Sequence, residues 1–264
     1  RFNMNNEGHS VKRWRCLCAY DGTNYTGWQK QPTQDSVQNH IENALKQIFS
    51  VPIRTIGAGR TDAGVHAKGQ VFHFDHEWKH GEKKMLQALR AHLPSDISPR
   101  KVKEVAPSFH ALSSAKGKRY LYRAVPGWAM PQDERFCLSM KNQNLDITAM
   151  KKAARFLVGK HDFTAFAASR GKEEKEDPVK EIWILKINQN KTEIQFLVEG
   201  SGFLYKMVRS MVGGLFEVGR GRIQIDTINE ILQSRRRTEV VVSAPAKGLS
   251  LEKVYYTKPK FLSQ

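Results

Sequence analysis

The chain has 264 residues, and 43 Lys and Arg against 26 Asp and Glu leave a formal net charge of +17. An excess that large points to a polyanionic partner. RNA, DNA and an anionic membrane are the candidates, and the membrane is the weakest of them because no apolar run approaches the roughly 18 residues of a transmembrane helix. The length accommodates one large domain or two ordinary ones.

Residues 1–12 are polar and Asn-rich and read as a loose leader. The first strand covers 14–20 and ends at the turn Asp21-Gly22. Cys16 and Cys18 lie two apart on it, so both thiols face one side. With Cys137 they make an odd set without metal or disulfide spacing, as expected of buried thiols in a reducing compartment. Asp35-Ser36 caps a helix whose apolar face is Val37, Ile41, Leu45, Ile48 and Phe49. A strand over 53–58, a loop, a strand over 69–75, a helix over 83–93 and a strand over 101–106 follow. The order is β-α-β-β-α-β, the ferredoxin-like unit.

The second half repeats that order. A strand covers 119–125, and a helix over 147–158 is capped by Asp146 and ended by Gly159. Strands over 179–188 and 193–199 flank the turn Asn188-Gln189-Asn190. Helices at about 204–218 and 227–233 and a strand over 250–256 complete the chain. The expected class is therefore α+β, with two tandem ferredoxin-like (RRM-like) units at 13–115 and 116–264. The charged stretch 170–177 reads as a solvated loop.

Several strings could carry chemistry. Gly57-Ala58-Gly59 begins like a dinucleotide fingerprint but has Asp62 where the third glycine belongs, and an anion there repels a pyrophosphate. No nucleotide cofactor is expected, and no phosphate loop is present. His66, His73, His76 and His80 match no ligand spacing, so no metal is expected. Tyr120 and Tyr122 share one face of a basic strand, an arrangement suited to stacking on unpaired bases and equally to core packing. Arg209 lies off the apolar stripe of its helix, where solvation is the ordinary outcome. Gly213-Gly214 in the same helix costs roughly 1–2 kcal/mol relative to alanines, so a close approach by another backbone or a substrate is the expected reason. Arg235-Arg236-Arg237 follows a helix C-terminus, where dipole complementation and phosphate contact both fit.

The run from Gly59 to Ala67 (GRTDAGVHA) is the most informative. It sets one carboxylate, Asp62, beside Arg60 in a basic chain that favours the ionised form. Flanking glycines permit positive φ and close ligand approach.

These residues resemble the tRNA pseudouridine synthase A (TruA) family. The matching strings are Tyr20-Asp21-Gly22-Thr23, Gly27-Trp28-Gln29, 57–70 (GAGRTDAGVHAKGQ), Phe109-His110-Ala111, Lys118-Arg119-Tyr120, 202–213 (GFLYKMVRSMVG), Ala244-Pro245-Ala246 and Gly248-Leu249. They run in family order from about 14 to 257. The resemblance implies that Asp62 is the catalytic aspartate and that Arg209 pairs with it. It implies that Tyr120 stacks on the target base, that Leu251 lines the pocket, and that Arg60 enters the space the flipped nucleotide vacates. It also implies two halves joined through a central, largely antiparallel sheet with helices outside and a basic cleft, a homodimer, tRNA as partner, and no cofactor or metal. The implied reaction converts specific uridines to pseudouridine, most often in the anticodon stem-loop. Where many relatives have Arg-Phe after Phe-His-Ala, this chain has Leu112-Ser113. A non-catalytic RNA-binding protein with tandem RRM-like folds and a DNA-directed glycosylase are the competing readings. A bacterial cytoplasm and an organelle matrix after presequence removal both fit the clipped N-terminus.

Overall fold

A computed structural model describes residues 10–32, 35–141, 143–169, 176–259 and 262. Most of the expected leader and the stretch 170–175 lie outside the described residues. The first half runs β1 (Lys12–Tyr20), α1 (Val37–Phe49), β2 (Ile56–Gly57), β3 (His66–His76), α2 (Gly81–His92) and β4 (Ile97–Val105). The second runs β5 (Gly117–Val125), β6 (Leu138–Ser139), α3 (Ile147–Ala154), β7 (Gly159–Asp162), β8 (Val179–Gln189), β9 (Ile194–Gly200), α4 (Met207–Gly219), α5 (Thr227–Ser234) and β10 (Leu249–Tyr255).

All ten strands join one sheet in the order β4-β1-β3-β10-β5-β9-β8-β7, with β2 on β3 and β6 on β5. Pairing is antiparallel except for β10 with β3 and β5 with β6. The result is a mixed α+β molecule around a large, mostly antiparallel sheet. The two halves meet where β10 slots beside β3. One register row crosses that seam from Tyr20 through Ala67, Leu251 and Tyr120 to Val198.

Local sequence explains the elements. In β1 the residues Trp14, Cys16, Cys18 and Tyr20 are buried and their neighbours are not, as period-2 alternation demands. Both thiols and Cys137 are buried and free. Ser36 caps α1 by accepting from the Asn39 amide at 3.3 Å, and Asp146 caps α3 by accepting from Ala149 at 2.8 Å. No helix among the described residues is long and apolar enough to cross a membrane.

The departures have physical causes. The strand expected over 53–58 shrinks to Ile56–Gly57, because helix side chains take up its backbone groups. Gln38 donates to the Thr55 carbonyl at 2.9 Å, and the Glu42 carboxylate accepts from the Thr55 amide at 3.0 Å. The helix expected to reach 158 ends at Ala154, and a 3-10 turn over Arg155–Leu157 follows. Gly159, at φ +108°, opens the edge strand β7 instead of capping the helix. Lys12, assigned to the leader, is the first residue of β1 and pairs with His76.

Candidate active site

The loop between β2 and β3 holds Asp62, and residues far from it in sequence fix its backbone. The Tyr20 hydroxyl meets Thr61 Oγ1 at 2.9 Å, and the Trp28 amide donates to the Thr61 carbonyl at 3.1 Å. Gln70 Nε2 donates to the Gly59 carbonyl at 2.9 Å, and the Gly64 amide donates to the Tyr25 carbonyl at 3.2 Å. The strings around Tyr20 and Trp28 therefore form the clamp on this loop. The flanking glycines differ in purpose. Gly64 has φ +75°, whereas Gly59 needs no positive φ. Gly59 lies against the end of the Lys118 side chain, which a Cβ there, 2.4 Å from Nζ, would push aside.

Asp62 Oδ2 lies 3.3 Å from Arg209 Nη1, with both side chains only 13–14% exposed. The helix that carries Arg209 is not a surface helix. Eleven of its thirteen residues, including Gly213 and Gly214, are buried. Arg209 is held from behind: its Nε donates to the Ala244 carbonyl at 2.7 Å, and the Ala244 amide returns a bond to the Arg209 carbonyl at 2.9 Å. One guanidinium thus ties the first half's loop to the second half's helix and to the segment before β10. The expected close approach at the glycine pair is present too, because a Cβ on Gly213 would lie 1.7 Å from the Val242 carbonyl oxygen.

A cavity of about 780 Å³ opens over this pair, within the range of ligand sites. Its wall carries five cationic side chains, Arg54, Arg60, Lys118, Lys206 and Arg209, against the carboxylates Asp62 and Glu176. The N-terminus of α4 also meets the wall through Lys206 and Met207, adding the positive end of a helix dipole. Tyr120 lines the cavity and its ring stands edge-on to Phe203 at 5.2 Å. Exposed Arg60 lines it as well.

Other candidates sort differently. Tyr122 is fully buried against Phe196 and Phe216, and its hydroxyl donates to the Pro245 carbonyl at 3.0 Å, so it is a core residue. Leu251 is fully buried opposite Tyr120 in the ladder; two residues earlier on the same strand face, Leu249 reaches the cavity wall instead. His66 Nδ1 accepts from the Gly22 amide at 3.0 Å, and its other ring nitrogen lies 2.8 Å from the Arg135 carbonyl. His73 accepts from the Ala111 amide, and burial together with Arg13 and His110 lowers its pKa to about 4. Both are structural. Among the described residues no cluster of His, Cys, Asp and Glu could hold a metal. Arg237 bonds the Ala167 and Val241 carbonyls and Ser210, bracing 238–244 rather than meeting a ligand. Leu112, at the departure from the family pattern, is an exposed apolar residue on the cavity wall.

Sequence reasoning missed Lys118 and Phe203 as site residues, although both lie in quoted strings. Lys118 is two residues before Tyr120 on one strand, and that spacing was the available signal. Glu176, read as part of a solvated loop, lines the cavity and pairs with Lys180 at 3.1 Å.

A nearly buried carboxylate paired with arginine in a cation-lined cavity suits an enzyme that acts on an anionic substrate such as a nucleic acid. Comparison with known proteins agrees. The family model described as tRNA pseudouridine synthase matches residues 17–112 and 153–257. The tRNA pseudouridine synthase A of Thermoanaerobacter sp. (strain X514) is 42% identical over 241 residues, covering 91% of this chain and 98% of the relative. That of Brevibacillus brevis is 41% identical over 246 residues, covering 93% of this chain and all of the relative. A tRNA pseudouridine synthase A 2 of Bacillus cereus is 38% identical over 250 residues, with coverage of 93% and 100%. The chain belongs to the tRNA pseudouridine synthase family.

Proposed function

We propose that this chain isomerises specific uridines of tRNA to pseudouridine in the Asp62 cavity, with the anticodon stem-loop as its substrate region. The observation that carries the reading is the Asp62–Arg209 pair inside a basic cavity. The reaction breaks the bond from C1′ to N1 of uracil and forms one from C1′ to C5. The C5 proton is released and N1 gains one, so the change is redox-neutral. The target base leaves its stack, at a cost of a few kcal/mol, and stacks on Tyr120 while Arg60 fills the vacated place. Asp62 is the reacting carboxylate, and Arg209 keeps it charged and aimed. The strand orders β4-β1-β3-β2 and β10-β5-β9-β8 support two ferredoxin-like units, 13–115 and 116–264, with the cleft at their seam. The enzyme works as a homodimer in the cytoplasm.

The test is tritium release from tRNA carrying 5-tritiated uridine, with the base retained in the RNA. Release of free uracil would identify a glycosylase, and binding without release a passive module. Affinity for tRNA should fall steeply with salt, with a log–log slope of about −3 or steeper, because several phosphates shed counterions. A flat response would remove the electrostatic argument. Tyr120→Phe should keep turnover within about threefold, because stacking needs only the ring, whereas Tyr120→Ala should lose about 10- to 100-fold. A collapse of Tyr120→Phe would assign the hydroxyl a proton-transfer role.

A further inference from the structure

We propose that Lys118 positions the substrate by binding a phosphate group that flanks the flipped nucleotide, an inference that rests on the uridine-isomerase reading above. β5 places Lys118 and Tyr120 on one face, two residues or about 7 Å apart. The ammonium lies directly against Gly59, three residues before Asp62, so it sits on the cavity wall beside Arg60.

What singles it out among the cations of the cavity wall is its place on the strand face that carries Tyr120. Arg209 is bonded to Asp62 and Ala244, Arg119 to Glu199, and Arg123 to Glu193. Among the described residues, no hydrogen bond or ion pair holds Lys118. The carboxylate that approaches it, Glu176, is paired with Lys180 at 3.1 Å. On the wall of the cavity the ammonium can exchange water for the anionic oxygen of a ligand. Three donors on a compact charge suit a phosphate, and a full anion compensates lost hydration better than a neutral uracil carbonyl.

The surroundings make the contact sensitive to pH. Burial lowers the Lys118 pKa to about 8, Lys180 adds to the effect, and Glu176 opposes it. Arg60 lines the same cavity from the loop, while β9 and β10 present only Gly200 and Val254 at its register. Above pH 8 the free enzyme loses the ammonium, so kcat/KM falls on the alkaline side.

The experiment uses a 5-tritiated stem-loop substrate, unmodified or with one methylphosphonate on either side of the target uridine. Wild type, Lys118→Gln and Lys118→Arg are assayed from pH 6.5 to 9. Lys118→Gln should raise KM by about 10- to 100-fold with kcat within about threefold, the mark of a contact made equally in ground and transition states. Lys118→Arg should restore KM to within several-fold and remove the alkaline fall, because guanidinium stays charged. One methylphosphonate should penalise wild type about tenfold or more and leave Lys118→Gln nearly unchanged. An alkaline fall that persists in both variants, or a methylphosphonate penalty equal in wild type and Lys118→Gln, overturns the proposal. The second outcome would place Lys118 on the uracil edge or in a structural role. No release by wild type from the unmodified substrate would overturn the isomerase reading itself.

Discussion

Asp62→Asn should abolish tritium release, by at least about 10³-fold, while the Kd for tRNA changes only several-fold. The substitution is nearly isosteric, and the bonds that fix the loop backbone run through its neighbours. Tyr20 holds Thr61 Oγ1, Trp28 holds the Thr61 carbonyl, and Gln70 holds the Gly59 carbonyl. Arg209 keeps its bond to Ala244, so the cavity retains its shape. What disappears is the negative charge that reacts. The midpoint of thermal unfolding should move by only a few degrees, because Asn still offers Arg209 an acceptor oxygen and the guanidinium keeps its bond to Ala244. Turnover near that of wild type would remove Asp62 from the chemistry, and a large loss of binding would show that the loop had collapsed.

Gly213→Ala should destabilise the fold by at least about 2 kcal/mol, lowering the unfolding midpoint by roughly 4–8 °C, or prevent soluble expression. In a solvated helix the same change stabilises by up to about 1 kcal/mol. Here the new methyl would sit 1.7 Å from the Val242 carbonyl oxygen, a rigid backbone atom. The 242–244 segment would have to move, taking with it the Ala244 carbonyl that aims Arg209, so turnover should fall as well. Gly214→Ala is the internal control. Its methyl would lie 3.1 Å from Ile228 Cδ1, the end of a side chain that can shift, and the effect should stay within about 1 kcal/mol. Equal effects at the two positions would contradict the packing described for α4.

Much of the architecture was legible from local rules. Alternation placed β1 and its two buried thiols, and Ser36 and Asp146 marked helix starts where their side chains cap. The loop carrying Asp62 announced itself because a carboxylate between glycines in a basic chain has few structural uses. The resemblance then named Tyr120 and Arg209 as its partners, and the structure brings Arg209 to 3.3 Å of Asp62 and Tyr120 into the same cavity. Where local reading failed, a distant side chain had intervened. Residues 53–58 have strand composition, but Gln38 and Glu42 satisfy the Thr55 backbone groups that a neighbouring strand would have used. Arg209 looked like a solvated surface cation because helical periodicity does not reveal a helix buried on nearly every side. Leu249 and Leu251 share a strand face, and only the cavity's position along that strand decides which one lines it.

By itself the sequence pointed to a polyanionic partner and determined the α+β class, the main elements apart from the short strands β6 and β7, and the loop that bears Asp62. Charge, period and capping act over a few residues and need no neighbour. Tertiary structure alone decided which polar groups are satisfied within the chain and which line the cavity. It tied Arg209 to Ala244 and Asp62 across the seam between the halves, put Tyr122 in the core and Tyr120 on the cavity, and left Lys118 facing that cavity against Gly59. The physical reason is that burial and hydrogen-bond satisfaction depend on groups from about 35 to almost 150 residues apart, and only the folded chain brings those groups within a few ångströms.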